Sequence, residues 1–465
     1  MLSLKSSLRG LLDISSPAAF VAFAAHRSVS STTKPSKITV LGETFKTDNW
    51  TNATPQILNL VGRDLYKNPD HPVGILKNLV EKRFQGLDYT FYDDFKPVVS
   101  TYENFDVLGF PQDHPGRSVH DSYYLDSKHL LRTHTSAHEH QCFQRCHTPG
   151  YFITGDVYRR DEIDRTHYPV FHQMEGARHW SRKDFITGEE LLAQIQSDID
   201  AIPKTSQKDL IVKDVSYDAV KNPKQKYMTM KETDLIGQHL KRTIELVVSE
   251  VFNAAKIAAK KAGSTEQYLN EPLKIRWVEA YFPWTSPSWE IEVWWKGEWL
   301  ECCGCGVVRE EVFQNSGKGS DTVGWAFGIG LDRIAMLLFD IPDIRLFWTL
   351  DSRFKNQFHE GQISLFTPYS KYPGTIRDIS FWLPGKGDEE LHTNDLMEIV
   401  RANAGDIAES VKLIDEFVHP KTGNKSQCYR VNYQSMDRTV TNDEVNRLHE
   451  KTRRDLVDKF GIKLR

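Results

Sequence analysis

The sequence predicts an α+β protein: an antiparallel sheet flanked by helices, followed by a smaller C-terminal domain of split β-α-β type. Three observations carry this expectation. Apolar alternation broken by turn residues recurs over residues 151–174 and again over 273–307, the pattern of paired strands. Residues 235–261 set Leu240, Ile244, Val247, Val248, Val251 and Phe252 at helical spacing, and Gly263 stands where such a helix would stop. Beyond residue 375, strand-like and helical stretches alternate as a split β-α-β unit requires.

Length and composition set the outer bounds. A chain of 465 residues supports two or three domains with well-buried cores. A net charge of -4 argues against a surface that grips nucleic acid everywhere, while leaving room for a local basic patch. Six cysteines are too few for a disulfide framework in a chain of this size. Residues 1–37 stand apart: Lys5, Arg9, Arg27, Lys34 and Lys37 face a single acid, Asp13, among many serines. With Leu2, Leu4, Leu8, Leu11 and Leu12 on one side of a short helix, this is the profile of a mitochondrial transit peptide. The apolar run from Pro17 to Ala25 is too short to span a bilayer, so no membrane anchor is expected.

Taken in order, Ile38 to Asn52 reads as strand and turn, and Thr54 or Pro55 opens a helix bearing Ile57, Leu58 and Val61. Val73 to Phe84 is helical and Phe91 to Val99 strand-like. His134, His138 and His140, with Cys142, Cys146 and His147, raise the question of zinc. The order does not fit the protease pattern and no second ligand group follows at metal spacing, so no protein-held zinc is expected. Leu131 to His138 reads instead as a donor-rich wall, with a helix N-terminus after Thr135.

The densest stretch runs from Gly155 to Gly176. Tyr151 to Val157 and Val170 to Met174 form a hairpin around a charged loop, with Arg159 at one lip and Phe171, Gln173 and Glu175 on the other. Arg159 suits a phosphate and Phe171 a flat ring. Residues 182–231 are polar and read as a peripheral insertion. Strands follow at Leu273–Trp277, Ala280–Trp284, Trp289–Trp295 and Glu298–Glu301, and Pro283 is expected to force an edge or bulge where Phe282 and Trp284 line a pocket. Cys303 to Val307, with Gly304 and Gly306, is a strand of close approach. Gly324 to Leu338 reads as a strand entering a buried helix, with glycines at 324, 328 and 330 admitting a ligand and Arg333 buried among apolar neighbours. In the tail, Thr375 to Leu383 and Gln427 to Tyr433 are strands, Thr393 to Asn403 is helical, and Ile407 to Val418 is an amphipathic stretch. Thr441 to Glu444 is a capping box opening a basic helix, and Ile462 to Leu464 closes the sheet.

Gly155-Asp-Val-Tyr-Arg159, Phe171-His-Gln-Met-Glu-Gly176 and Gly328-Ile-Gly-Leu-Asp-Arg333 together resemble motifs 2 and 3 of the class II aminoacyl-tRNA synthetases. Asn104-Phe-Asp106 with Asp113-His-Pro115, and Phe282-Pro283 before Ser286-Pro-Ser288, look like the phenylalanine-tRNA ligase family. Ser370 to Pro373 and Arg377 to Phe381 resemble its ferredoxin-like anticodon-binding domain, and the chain resembles the family's single-chain mitochondrial branch. The resemblance implies a synthetase catalytic domain over residues 38–365 and an anticodon-binding domain over 370–465. It implies ATP with Mg2+, phenylalanine and tRNA(Phe) as partners, a monomer, and the mitochondrial matrix as its place.

The same resemblance implies the site. Arg159 would hold the α-phosphate, and His167, flanked by Thr166 and Tyr168, would approach the triphosphate. Phe171 would stack on adenine, Arg333 would meet the distal phosphates or adenine, and Glu301 would lie near magnesium. His134, Ser136, Gln173 and Glu175 would take the ammonium and carboxylate of the amino acid, within a wall completed by Ala137, His138, Glu139 and Met174. Phe282, Trp284 and Phe327 would enclose its ring. Two residues depart from the family pattern: Trp284 stands where Phe is usual, and Asp332 replaces Glu before the motif 3 arginine. No segment is large enough for an editing domain, so some tyrosine transfer is expected. A regulatory relative without activity would have lost Arg159 or Arg333, and both are present.

Overall fold

The computed structural model describes residues 35–204, 210–215, 217–218, 220–369, 372–384 and 391–465. The expected leader, residues 1–37, lies outside these except for its last three residues, as do Ser370 and Lys371 of the tail motif. Lys37 already belongs to the fold. β1 (Lys37–Val40) and β2 (Glu43–Lys46) make a small hairpin, and α1 (Pro55–Leu58) is a single turn capped by Thr54, shorter than its apolar spacing suggests. α2 (Pro72–Phe84) starts at a proline, where the missing N–H costs nothing, and His71 caps it.

The expected strand over Phe91 to Val99 is two: β3 (Tyr89–Tyr92) joins the main sheet, and β4 (Val98–Ser100) pairs elsewhere with β5 (His129–Leu131). Between them lies α3 (Thr101–Asn104), and after β5 comes α4 (Glu139–Arg145). β6 (Gly150–Tyr158) and β7 (Val170–Ser181) form the anticipated hairpin, with Val157 opposite Phe171 and Gly155 opposite Gln173.

The stretch 182–231 is not a peripheral polar insertion. It supplies α5 (Gly188–Ala201), which buries Leu191, Ile195 and Ile199, and β8 (Leu210–Lys213), which closes one edge of the main sheet. Three apolar residues at i, i+4 and i+8 suffice to seat a helix whose other faces stay charged. α6 (Met230–Lys261) begins earlier than its apolar stripe, because Thr229 and Glu232 form a capping box. It ends before Gly263, whose φ of +88° suits glycine. β9 (Leu273–Phe282), β10 (Thr285–Trp295) and β11 (Glu298–Val308) follow as a meander, then α7 (Glu310–Asn315), β12 (Thr322–Gly330), α8 (Leu331–Phe339) and α9 (Ser352–Lys355). Pro283 and Trp284 form the tight turn between β9 and β10, so the proline sits in a turn and not within an edge strand.

The main sheet has the order β3-β6-β7-β12-β11-β10-β9-β8. Its interior is antiparallel as expected, while both outer pairs, β3 with β6 and β8 with β9, are parallel. One face carries Phe152, Met174, Trp289, Ile291 and Phe327 into the large core formed with α2, α6 and α8. The opposite face carries Tyr151, Ile153, Ala177 and Ala326 into a smaller core with α4 and α7. That second face also holds the site.

The tail folds as β13 (Thr375–Trp382), α10 (Thr393–Ala404), β14 (Ala408–Val418), β15 (Lys425–Tyr433), α11 (Asn442–Phe460) and β16 (Lys463–Leu464), in the sheet order β14-β15-β13-β16. The amphipathic stretch after Ile407 is therefore a strand. Thr441 caps α11 through the Glu444 amide, but the Glu444 side chain pairs with Arg438 at 2.6 Å and leaves the capping box half made. Tail and core are joined by Arg160 to Asp395 at 2.9 Å, Tyr123 Oη to Glu398 at 2.6 Å and Tyr168 Oη to Asp406 at 2.8 Å.

Candidate active site

β7 lays Phe171, Gln173 and Glu175 along one face, since alternate residues of a strand share a side. Reading across the sheet from Glu175, its neighbours are Gly328 on β12, Gly304 on β11 and Glu290 on β10. Gln173 stands opposite Gly330. A floor made largely of glycine is open to a flat ligand. The Phe282 ring lies directly over Gly304, where an added Cβ would come within 2.6 Å of it, whereas Gly328 and Gly330 have room. Gly324 does not serve a ligand: its surroundings are the backbone of Arg178 and the ring of Phe313.

The rim beside Glu175 is the 3₁₀ turn Thr135–His138. The Ser136 hydroxyl donates to Glu175 Oε1 at 2.6 Å, and the Thr135 amide donates to Gln173 Oε1 at 3.2 Å. Burial pushes the Glu175 carboxyl up to about 7, with the Ser136 and Thr135 donors pulling it back. Glu139, on the first turn of α4, is 2% exposed; burial and the nearby Glu175 push it up to about 8. Its Oε1 has no hydrogen-bond donor among the described residues. Aromatic rings line the apolar end: Trp284 stacks on Phe110 at 5.1 Å, Phe110 on His134 at 5.6 Å, and Phe282 stands 6.1 Å from Trp284. Burial, reinforced by Arg159, pushes His134 down to about 3, so the ring is neutral.

At the other end, Arg159 Nε donates to the Thr133 carbonyl at 2.7 Å, and the guanidinium lies 5.2 Å over the Phe171 ring. Its two terminal nitrogens make no hydrogen bond among the described residues. The arginine is thus fixed at its neck and free at its tip. Arg333 is exposed on the first turn of α8, not buried, because Asp332 turns the other way. Asp332 accepts from both the backbone amide and the imidazole of His172, tying β7 to α8. Glu301 is exposed and opposite Glu292, beside Glu290, which burial, Glu301 and Glu292 together push up to about 7. Glu292 is paired with Arg276, which leaves Glu290 and Glu301 as carboxylates of the oxygen-donor type that a divalent cation takes.

Several expected residues are elsewhere. Met174 and Phe327 point to the opposite face of the sheet and sit in the large core; Ala326 and Gly328 are the β12 residues that face the site. Ala137 is buried in the smaller core. His138 is held by Arg132 at 3.0 Å and Gln141 at 2.9 Å, and so supports the wall from behind. Tyr168 is buried against Trp348 and bonded to Asp406, facing the tail. Thr166 is exposed, and His167 pairs with Asp164 at 2.8 Å, which raises its imidazole, while lining a cavity of ≈ 240 Å3 with Arg63, Arg345 and Arg401. Arg132, read in the sequence as part of the donor-rich wall Leu131–His138, turns inward to the sheet instead of towards a ligand. It is 1% exposed, pairs with Asp156 at 2.6 Å and also bonds the Asp156 and Phe95 carbonyls, bracing β6 behind Arg159. A lone arginine in an apolar run, Leu130-Leu-Arg132, was its only signal.

Comparison with known proteins identifies relatives of the chain. The family described as tRNA synthetases class II core domain (F) matches residues 56–200 and 238–358, and the ferredoxin-fold anticodon binding domain matches 370–465. The chain is 54% identical to the mitochondrial phenylalanine–tRNA ligase of Saccharomyces cerevisiae, over 94% of this chain and 96% of that one. It is 39% identical to the mitochondrial phenylalanine–tRNA ligase of Mus musculus, over 92% and 88%. A Synechocystis phenylalanine–tRNA ligase alpha subunit is 33% identical over 62% of this chain and 66% of its own. With a class II core, an anticodon-binding tail and identity along nearly the whole length, the chain belongs to the phenylalanine-tRNA ligase family of class II aminoacyl-tRNA synthetases.

Proposed function

We propose that the row Phe171, Gln173, Glu175 divides the site between two substrates, ATP over Phe171 and phenylalanine over Glu175. Family membership makes the chain a phenylalanine-tRNA ligase. The four-residue step from Phe171 to Glu175 spans about 13 Å of strand, enough for a nucleotide and an amino acid end to end. The observation that carries the reading is Arg159, anchored at Nε, stacked on Phe171 and free at its tip.

In the first step a carboxylate oxygen of phenylalanine attacks the α-phosphorus, a P–O bond breaks, and pyrophosphate leaves. No enzyme nucleophile is needed, so the protein's work is alignment and charge stabilisation. Arg159 donates to the α-phosphate as its charge rises, and Arg333 meets the distal phosphates. Glu290 and Glu301 would hold Mg2+, which supplies positive charge to the phosphates. Ser136, Gln173 and Glu175 orient the amino acid, and Phe282 with Trp284 covers its ring. In the second step a hydroxyl of the tRNA terminal ribose takes the phenylalanyl group and AMP leaves. Residues 38–365 perform the chemistry, and residues 370–465 hold the anticodon of tRNA(Phe). The chain works as a monomer in the mitochondrial matrix.

The division is tested by steady-state exchange of pyrophosphate into ATP. Phe171→Ala raises KM for ATP and leaves that for phenylalanine within about threefold; Glu175→Gln does the reverse. If both variants raise the same KM, the assignment of ends is wrong.

A further inference from the structure

The helix that presents Arg333 is poorly fixed by its own sequence. Gly330 precedes α8 and has no side chain to cap it, so the first turn is tied down by Asp332. That carboxylate accepts from the His172 amide at 2.5 Å and from the His172 ring at 3.1 Å. The other ring nitrogen, Nε2, has no partner among the described residues, and the plane of the imidazole is set by stacking on Trp348, with centroids 5.5 Å apart and planes at 15°. Trp348 is buried, its Nε1 has no partner among the described residues either, and it stacks in turn on Tyr168 at 5.3 Å and 21°. The Tyr168 hydroxyl donates to Asp406 at 2.8 Å, and Asp406 lies in the tail, in the 3₁₀ turn after α10.

Asp406 holds this column by a second contact. Trp348 ends the 3₁₀ turn Ile344–Trp348, and Arg345 in that turn donates to the Asp406 carbonyl at 2.6 Å and to the Gln434 carbonyl at 2.8 Å. The Ile344 amide donates to the Arg165 carbonyl at 2.9 Å, inside the charged loop of the β6–β7 hairpin. That loop is itself seated in the tail: the Val411 amide donates to the Ile163 carbonyl at 3.0 Å, and the Ile163 side chain is buried in the tail's own core. The tail therefore grips the outer end of the column through a side chain and through the backbone.

We propose that Asp406 positions Arg333 for ATP through the column Tyr168, Trp348, His172 and Asp332, which makes the anticodon-binding tail part of the machinery of amino-acid activation. This rests on the reading of Arg333 as an ATP contact and adds the residues that aim it. Every link is a direct hydrogen bond or ring stack, so the column is a contiguous path along which one end can constrain the other. An exposed arginine on an uncapped first turn has many conformations to lose when it meets a phosphate, and fixing that turn beforehand reduces the loss. None of the column residues touches the nucleotide; they are positioning residues. A column that only filled the core would change stability in the same way whether or not Arg333 were present.

The test is a double-mutant cycle on the full chain, read as KM for ATP in phenylalanine-dependent exchange of pyrophosphate. Tyr168→Phe keeps the ring and removes only the bond to Asp406; it is expected to raise KM for ATP about fivefold, the size of one lost hydrogen bond, without moving KM for phenylalanine. Asp406→Ala removes the same bond from the tail side and leaves the backbone contact with Arg345 in place. It is expected to give the same rise, and the two changes together no further rise. Arg333→Ala raises KM for ATP by itself, and in that background Tyr168→Phe is expected to add less than about twofold. A full additional rise in the Arg333→Ala background, an equal rise in KM for phenylalanine, or no rise in KM for ATP from Tyr168→Phe would each overturn the positioning role while leaving the ATP reading intact. An unchanged KM for ATP in Arg333→Ala would overturn that reading and the positioning role with it.

Discussion

Replacing Arg159 with alanine separates chemistry from folding. The guanidinium makes one bond within the described residues, Nε to the Thr133 carbonyl at 2.7 Å, and lies 5.2 Å over Phe171. A hydrogen bond of this kind is worth about 1 kcal/mol net and the ring contact about 1–2 kcal/mol, partly offset by no longer burying a charge. Against a typical stability of about 5–15 kcal/mol, the variant stays folded. Catalysis loses far more. Removing one preorganised donor from a developing phosphate charge costs about 10²–10³ in kcat, or roughly 3–4 kcal/mol. Pyrophosphate exchange is therefore expected to fall at least about a hundredfold while circular dichroism and urea midpoint change little. Arg159→Lys keeps the charge but loses the fork, and falls in between. Exchange within tenfold of wild type in the alanine variant would refute the role.

Three other outcomes follow from single contacts. Gly304→Val drives a side chain into the Phe282 ring, where even Cβ comes within 2.6 Å, and is expected to raise KM for phenylalanine more than KM for ATP; steady-state exchange measures both. Asp332→Asn breaks a buried pair with His172 and is expected to cost about 2–4 kcal/mol in urea unfolding, because a buried partner is left uncompensated. Glu139→Gln changes the pH dependence of stability. The folded carboxyl is raised to about 8, so its contribution is present below the ordinary glutamate range and lost as pH rises from about 4.5 to 8. The variant is expected to be the more stable form at pH 9 and to lose this advantage near pH 5, measured by thermal melts at both.

The hairpin was legible because its two strands alternate strictly and its loop is charged. Its register followed, with Val157 opposite Phe171. The faces were less so. Period two places Met174 opposite to Glu175, and the pairing of Phe327 with Gly176 sends that ring to the core; the motif resemblance grouped these neighbours without regard to side. Arg333 was expected buried because its neighbours are apolar. Its own position on the outer side of α8, and the turn of Asp332 to His172, decided otherwise. The stretch 182–231 looked peripheral because a mostly exposed helix hides three buried residues, and a four-residue parallel edge strand has no local signal at all. Tyr168 and the Arg132–Asp156 pair depend on partners hundreds and tens of residues away, which no local pattern reveals.

The central claim is that this sheet face joins phenylalanine to ATP through Arg159 and the Glu175 wall. The most direct measurement is incorporation of labelled pyrophosphate into ATP by the purified chain, with and without L-phenylalanine. The account predicts exchange that requires phenylalanine and that disappears in Arg159→Ala. Exchange independent of phenylalanine, or absent from a folded wild-type sample that still binds tRNA, would contradict it.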